Sequence, residues 1–172
     1  MSARVSSGKD SKQNYGTPWD FVLRVQKAWG IPHFDYDLAA DGQNAKGTVW
    51  IDKERDSLAQ DWSRLRGKLW LNPPYADIAP WVEKCYRSTR EPGRNIFVLI
   101  PASVGSNWYR DWVHTKCDVY FLNPRLKFDG ATSLYPRDLM LCVYGGMDED
   151  EVKDMHPPSV WNWKDGTFDF GF

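Results

Sequence analysis

Seven consecutive apolar residues, Ile96–Ala102, make the longest such run in the chain and constrain its fold more than any other feature. The run falls far short of the ~18 residues that a membrane-crossing helix requires. It also lacks the polar–apolar alternation of a strand with one wet face. Asn95–Ile100 therefore reads as a strand buried on both sides. Such a strand belongs in the middle of a sheet with helices covering it.

The flanking sequence supplies those helices. Phe21, Val22, Val25, Ala28 and Trp29 form an apolar stripe at helical spacing, closed by Gly30 and Pro32. Thr17 is placed to cap this helix, Pro18 suits its first position, and Asp20 sits where a capping-box acid would. Ile78, Trp81, Val82, Cys85 and Tyr86 repeat the pattern, and residues 105–115 read as a further helix. Strands are expected at Phe34–Leu38, Thr48–Ile51, Lys68–Leu71, Asp118–Leu122 and Leu139–Tyr144, with a polar, partly helical stretch up to Trp62. Strands alternating with helices predict an α/β fold, its sheet mostly parallel and its helices on both faces.

A chain of 172 residues has room for one such domain. Residues 1–13 are polar and read as a flexible arm, 14–146 as the domain, and 147–172 as an acidic then aromatic extension that packs irregularly on it. Residues 148–172 carry seven acids against two lysines, which leaves the rest of the chain at +4. A mildly basic body is compatible with a polyanionic partner. The N-terminus has no apolar signal core, so the chain reads as a soluble cytoplasmic domain without a membrane segment. Cys85, Cys117 and Cys142 are too scattered for a disulfide framework or a zinc cluster, and His33, His114 and His156 lack ligand partners, so no metal is expected. Neither a Gly-x-Gly-x-x-Gly turn nor a Walker phosphate loop is present, which disfavours dinucleotide enzymes, ATPases and kinases.

Asn72-Pro73-Pro74-Tyr75, directly after a strand, carries the chemistry. An exocyclic amino group on a purine is a poor nucleophile because its lone pair is delocalised into the ring. Two acceptors that hold its hydrogens favour a more tetrahedral nitrogen and aim the lone pair outward. Asn72 offers a side-chain carbonyl and Pro73 a backbone carbonyl. Pro74 restricts Pro73 to an extended conformation and fixes that carbonyl beforehand. Tyr75 offers a ring for the flat base to stack on. The simpler alternative is a rigid proline turn leaving the sheet. A second constellation, Asp35 to Asp41 with Asn44 nearby, ends a strand in acids and small residues that a nucleoside-like cofactor can approach.

The ordered set resembles the phage-encoded DNA adenine-N6 methyltransferase, or Dam-like phage, family. Its marks are Thr17-Pro18, Asp37-Leu38-Ala39-Ala40, Asn44-Ala45, Asp61-Trp62, Trp70-Leu71-Asn72-Pro73-Pro74-Tyr75, Trp81, Pro101-Ala102, Trp108 and Arg125-Leu126-Lys127-Phe128. The resemblance implies a Rossmann-like, S-adenosylmethionine-dependent fold that methylates adenine in DNA, in a host cell's cytoplasm if phage-encoded. It places Thr17, Pro18, Asp37, Ala39 and Asn44 at the cofactor, and Asn72, Pro73, Pro74 and Tyr75 at the reaction centre. The glycine-rich first motif of amino-methyltransferases is absent, and Asp37-Leu38-Ala39-Ala40 stands in its place.

Trp108, Arg125, Lys127 and Phe128 are the candidates for handling the base and its strand. Phe128 either stacks on a flipped base or fills the core of an amphipathic strand. No separate recognition domain is visible, so sequence discrimination is expected to be shallow. The same turn would serve cytosine N4, RNA or a protein glutamine, and a non-catalytic module that stacks bases is the alternative outside enzymes. The oligomeric state is not readable.

Overall fold

The structure, a computed structural model, describes residues 16–145 and 157–169. Its sheet comprises β1 (Phe34–Asp37), β2 (Gly47–Trp50), β3 (Gly67–Leu71), β4 (Arg94–Pro101), β5 (Asp118–Asn123), β6 (Leu139–Tyr144), β7 (Ser159–Asn162) and β8 (Thr167–Asp169). The helices are α1 (Trp19–Ala28), α2 (Ala79–Ser88) and α3 (Asn107–Trp112). The eight strands lie in the order β2-β1-β3-β4-β6-β5-β7-β8. Strands β2, β1, β3 and β4 are mutually parallel; β6 runs antiparallel between β4 and β5, and β8 antiparallel to β7. The architecture is the expected α/β sheet, mostly parallel.

The apolar run becomes β4, hydrogen-bonded to β3 on one side and β6 on the other. Alternate residues of a strand face opposite ways. Accordingly Ile96, Val98 and Ile100 join Leu69 and Leu71 in one core cluster with Val82 and Cys85 of α2 and Tyr109 of α3. Phe97 and Leu99 join Trp70 in another, with Phe21, Val22 and Val25 of α1. This two-sided burial is why the run could dispense with alternation.

Two expectations need correction. Thr17 does not cap α1: Pro18 is the cap residue, in extended conformation (φ −64°, ψ 140°), and no side chain caps this end. The helix starts one residue later because Thr17 is drawn inward, where it is 2% exposed. The C-terminal segment is also not irregular where it is described. Strand β7 pairs in parallel with β5, and β8 folds back on it. Trp161 stacks on Phe168 across that hairpin, with ring planes 8° apart. Short strands broken by a turn carry too little periodicity to stand out from neighbouring aromatic residues. Helix α3 is shorter than its 105–115 window, capped by Ser106 Oγ, which accepts from the Tyr109 amide. The N-terminal arm and the acidic 148–154 stretch lie outside the described residues.

Candidate active site

Strand β1 continues to β2 on one side and, after β2, the chain passes to β3 on the other. The order of strands reverses there, and in open α/β sheets ligands bind beyond the carboxyl ends at such a point. A cavity of about 490 Å³ lies there, lined among others by Thr17, Asp37, Ala39, Asn44, Asn72 and Pro74. Its size suits a small-molecule or cofactor site. The fold thus brings together four of the five expected cofactor residues with two from the Asn-Pro-Pro-Tyr turn. Pro18 begins α1 instead and does not line the cavity.

Asp37 builds one wall. Parallel strands are ordinarily joined by a crossover of a dozen residues or more, yet only residues 38–46 connect β1 to β2. The Asp37 carboxylate clamps both ends of this short loop, accepting from the Ala39 amide at 3.2 Å and the Lys46 amide at 2.9 Å. Gly47 permits the close approach that follows: a Cβ there would meet the Tyr36 carbonyl carbon at 2.3 Å. Within the loop, Asn44 Oδ1 accepts from the Asp41 amide at 3.2 Å. Burial pushes the Asp37 pKa up to about 6, although the two amide donors and the Lys46 charge pull the other way.

Asn72 builds the facing wall at the end of β3. Its Oδ1 is buried and has no hydrogen-bond partner among the described residues. Buried acceptors are nearly always satisfied, so an orphan at a cavity wall is free to accept from a ligand. Pro73 behind it is buried and Pro74 exposed. Tyr75 is half-buried, its hydroxyl donating to the Leu99 carbonyl at 3.2 Å. That bond, at the far end of the ring, fixes the direction of its long axis. The ring lies 6.3 Å from Phe128 and 5.8 Å from Tyr135 by centroids.

The four residues expected to handle DNA lie outside the cavity wall. Phe128 is 5% exposed, part of the α1-side core, and 5.5 Å from Tyr135. Arg125 is exposed and bridges to Asp138 at 3.0 Å, and Lys127 is exposed. Trp108 is half-buried on α3 against Tyr109, at 6.5 Å between rings.

Sequence reasoning did not single out Lys46, Ser57 or Tyr135 for the site. Lys46 and Ser57 line the cavity, as does Trp81, read from the sequence as part of a helical stripe and a mark of the resemblance. Ser57 Oγ is buried without a partner, as is Asn72 Oδ1. A lysine two residues past Asn44 and a serine in a polar stretch give no local signal. Asp37, Asp41, Asp52 and Asp56 outnumber Lys46 and Lys53 in the lining, so the cavity favours a cationic ligand. No helix among the described residues is long and apolar enough to cross a membrane, and no metal-holding acid, histidine and cysteine group occurs among them.

An open α/β sheet with a ligand-sized cavity at its reversal point is the layout in which such sheets hold small ligands. The chain belongs to the DNA N-6-adenine-methyltransferase (Dam) family, whose profile matches residues 5–143. It is similar to the DNA N-6-adenine-methyltransferase of Haemophilus phage HP1 (strain HP1c1), at 27% identity over 130 residues that cover 74% of this chain and 73% of the phage protein. A second relative, the DNA N-6-adenine-methyltransferase of Escherichia phage T1, is 24% identical over 146 residues, or 85% of this chain and 60% of that protein.

Proposed function

We propose that the chain transfers a methyl group from S-adenosylmethionine to the N6 amino group of adenine in DNA, with the base flipped out of the helix to the Asn-Pro-Pro-Tyr turn. The observation that carries this reading is the orphaned, buried Asn72 Oδ1 on the cavity that Asp37 walls on its other side. The acid-rich lining suits a donor bearing sulfonium and ammonium charges. When bound, that donor would supply an electrophilic methyl group and leave as a neutral thioether, and the amino nitrogen would shed one proton to water.

The chain's own residues do the rest. Asn72 Oδ1 accepts one hydrogen of the amino group, and the Pro73 carbonyl accepts the other, held in place by Pro74. Both acceptors gain strength as the nitrogen turns tetrahedral, so they favour the transition state over the ground state. Tyr75, pinned through its hydroxyl to Leu99, carries the ring of the base. Asp37 acts by holding the Ala39–Lys46 loop against the donor. Thr17, Ala39 and Asn44 line the same wall, and Pro18 fixes where Thr17 enters. Arg125, Lys127 and Trp108 present exposed or half-exposed groups for the strand, phosphates first.

The test is incubation of DNA with methyl-labelled S-adenosylmethionine, followed by digestion to nucleosides. N6-methyladenine is expected. Label in N4-methylcytosine, in RNA or in protein would redirect the substrate, and no transfer at all would leave a binding module.

A further inference from the structure

Lys46 is 6% exposed, a degree of burial that lysine almost never reaches without a partner. Its Nζ lies 4.5 Å above the Trp19 ring and, among the described residues, makes no hydrogen bond or ion pair. Asp37 and Asp129 are the acids whose charges reach it. Asp37 already spends its oxygens on the Ala39 and Lys46 amides, and Asp129 stands beside Gly16. A buried cation costs free energy unless it is paired, and Lys46 lines the cavity. Lys53, the other lysine in that lining, is exposed to solvent.

We propose that Lys46 is the anion anchor of the cavity and takes the carboxylate of an amino-acid arm carried by a nucleoside donor. This rests on the methyl-donor reading above. Such a donor brings a carboxylate into a lining with four acids, which repel it. Among the described residues of that lining, Lys46 supplies the buried positive charge. Trp19 holds the ammonium through its π face and leaves the N–H groups free for a ligand. Trp19 is itself 49% exposed, so it covers the lysine from the solvent side without sealing the site. Burial lowers the Lys46 pKa, and a carboxylate beside it acts in the opposite direction.

The test compares two ligands by calorimetry. S-adenosylhomocysteine carries the amino-acid arm, and 5′-methylthioadenosine keeps the nucleoside and thioether but lacks it. In Lys46→Met, which preserves the buried stem, S-adenosylhomocysteine is expected to bind about tenfold weaker or more, as loss of a charged hydrogen bond implies. Affinity for 5′-methylthioadenosine is expected to stay within about twofold. Equal loss of both ligands, or no loss of either, overturns the proposal. So does a variant that loses DNA affinity and salt dependence instead, the signature of a phosphate contact. A second measurement needs no variant: decarboxylated S-adenosylhomocysteine should bind the wild-type protein about tenfold weaker than the parent compound, and equal affinity overturns the proposal. A wild-type protein that binds none of these ligands removes the methyl-donor reading and this proposal with it. Failure confined to the variant or the decarboxylated ligand removes this proposal alone.

Discussion

The amino end of β4 and the carboxyl end of β3 treat buried polar groups in opposite ways. At the amino end, Arg94 opens β4 at 2% exposure, and each of its three guanidinium nitrogens donates a hydrogen bond. Its guanidinium donates to the carbonyls of Leu65 at 2.8 Å, Ser63 at 2.6 Å and Glu91 at 3.2 Å, and to Ser88 as well. At the carboxyl end, among the described residues, Asn72 Oδ1 and Ser57 Oγ have no partner and the Lys46 ammonium meets only a ring face. One end spends its polar capacity on tying loops together; the other holds it in reserve. Unsatisfied groups cost stability, and a ligand or a reaction can repay that cost at the cavity; Ser159 Oγ and Trp161 Nε1 of β7, likewise buried without a partner among the described residues, line no part of it. The cavity follows the unsatisfied end.

The contrast breaks most readily at Arg94. Arg94→Met strands up to four carbonyls and is expected to cost about 4 kcal/mol or more of folding stability. Urea unfolding measures the loss, and methylation per folded molecule should stay unchanged. A loss under about 1 kcal/mol would mean that water replaces the guanidinium.

Asn72→Ala should do the reverse. Methyl transfer falls by a hundredfold or more, roughly 3 kcal/mol on the barrier, while the unfolding midpoint holds or rises because an orphaned acceptor is gone. Activity within a few-fold of wild type would sink the role assigned to this side chain.

Asp37 sharpens the comparison through pH. Its carboxyl is raised from 3.8 to about 6 in the folded chain, first by burial. Between those values the unfolded chain releases the proton before the folded one does. Folded molecules then bind more protons, so this group's contribution to stability is full below about pH 4 and is lost as pH rises through about 6. The span is on the order of 3 kcal/mol. Measured against Asp37→Asn at pH 4, 5, 6 and 7, the wild type's relative stability should decline across that window and then level off. A flat difference would make Asp37 an ordinary acid. Above the window, the stability lost is the cost of keeping a charged clamp at the ligand edge.

The smallest effects are expected in the Tyr75–Phe128–Tyr135 cluster. Phe128, 5% exposed, should act through the core: Phe128→Leu costs about 1 kcal/mol of stability and leaves methylation close to wild type. Tyr135 is half-buried, with its ring against both others, and Tyr135→Ala should lower kcat/KM by a few-fold, about 1 kcal/mol, with less effect on unfolding. If the two variants exchange these phenotypes, Phe128 is the ring that meets the base.

Much of this was legible along the chain, because it depends on neighbours in sequence. The apolar run gave a two-sided central strand, and period-3.6 stripes marked α1 and α2 within a residue or two of their ends. Asn72-Pro73-Pro74-Tyr75 could be placed at a strand end, with Asn72 as an available acceptor, from the sequence alone. Strands β7 and β8 escaped because a four-residue and a three-residue strand owe their form to pairing with β5 and each other, not to a pattern of their own. The cap at Thr17 failed for a related reason: what surrounds Thr17 comes from the far end of the chain, where the Asp129 amide donates to the Gly16 carbonyl at 2.9 Å. Lys46 is the clearest case. Nothing in its neighbours marks it as buried, and it becomes so only when Asp37 clamps the crossover and Trp19 closes over it. Residue types and periodicity fix which groups a chain can offer. Whether a given group is hydrated, satisfied or left waiting depends on long-range contacts, since the free energy of a polar atom is set by what surrounds it in space.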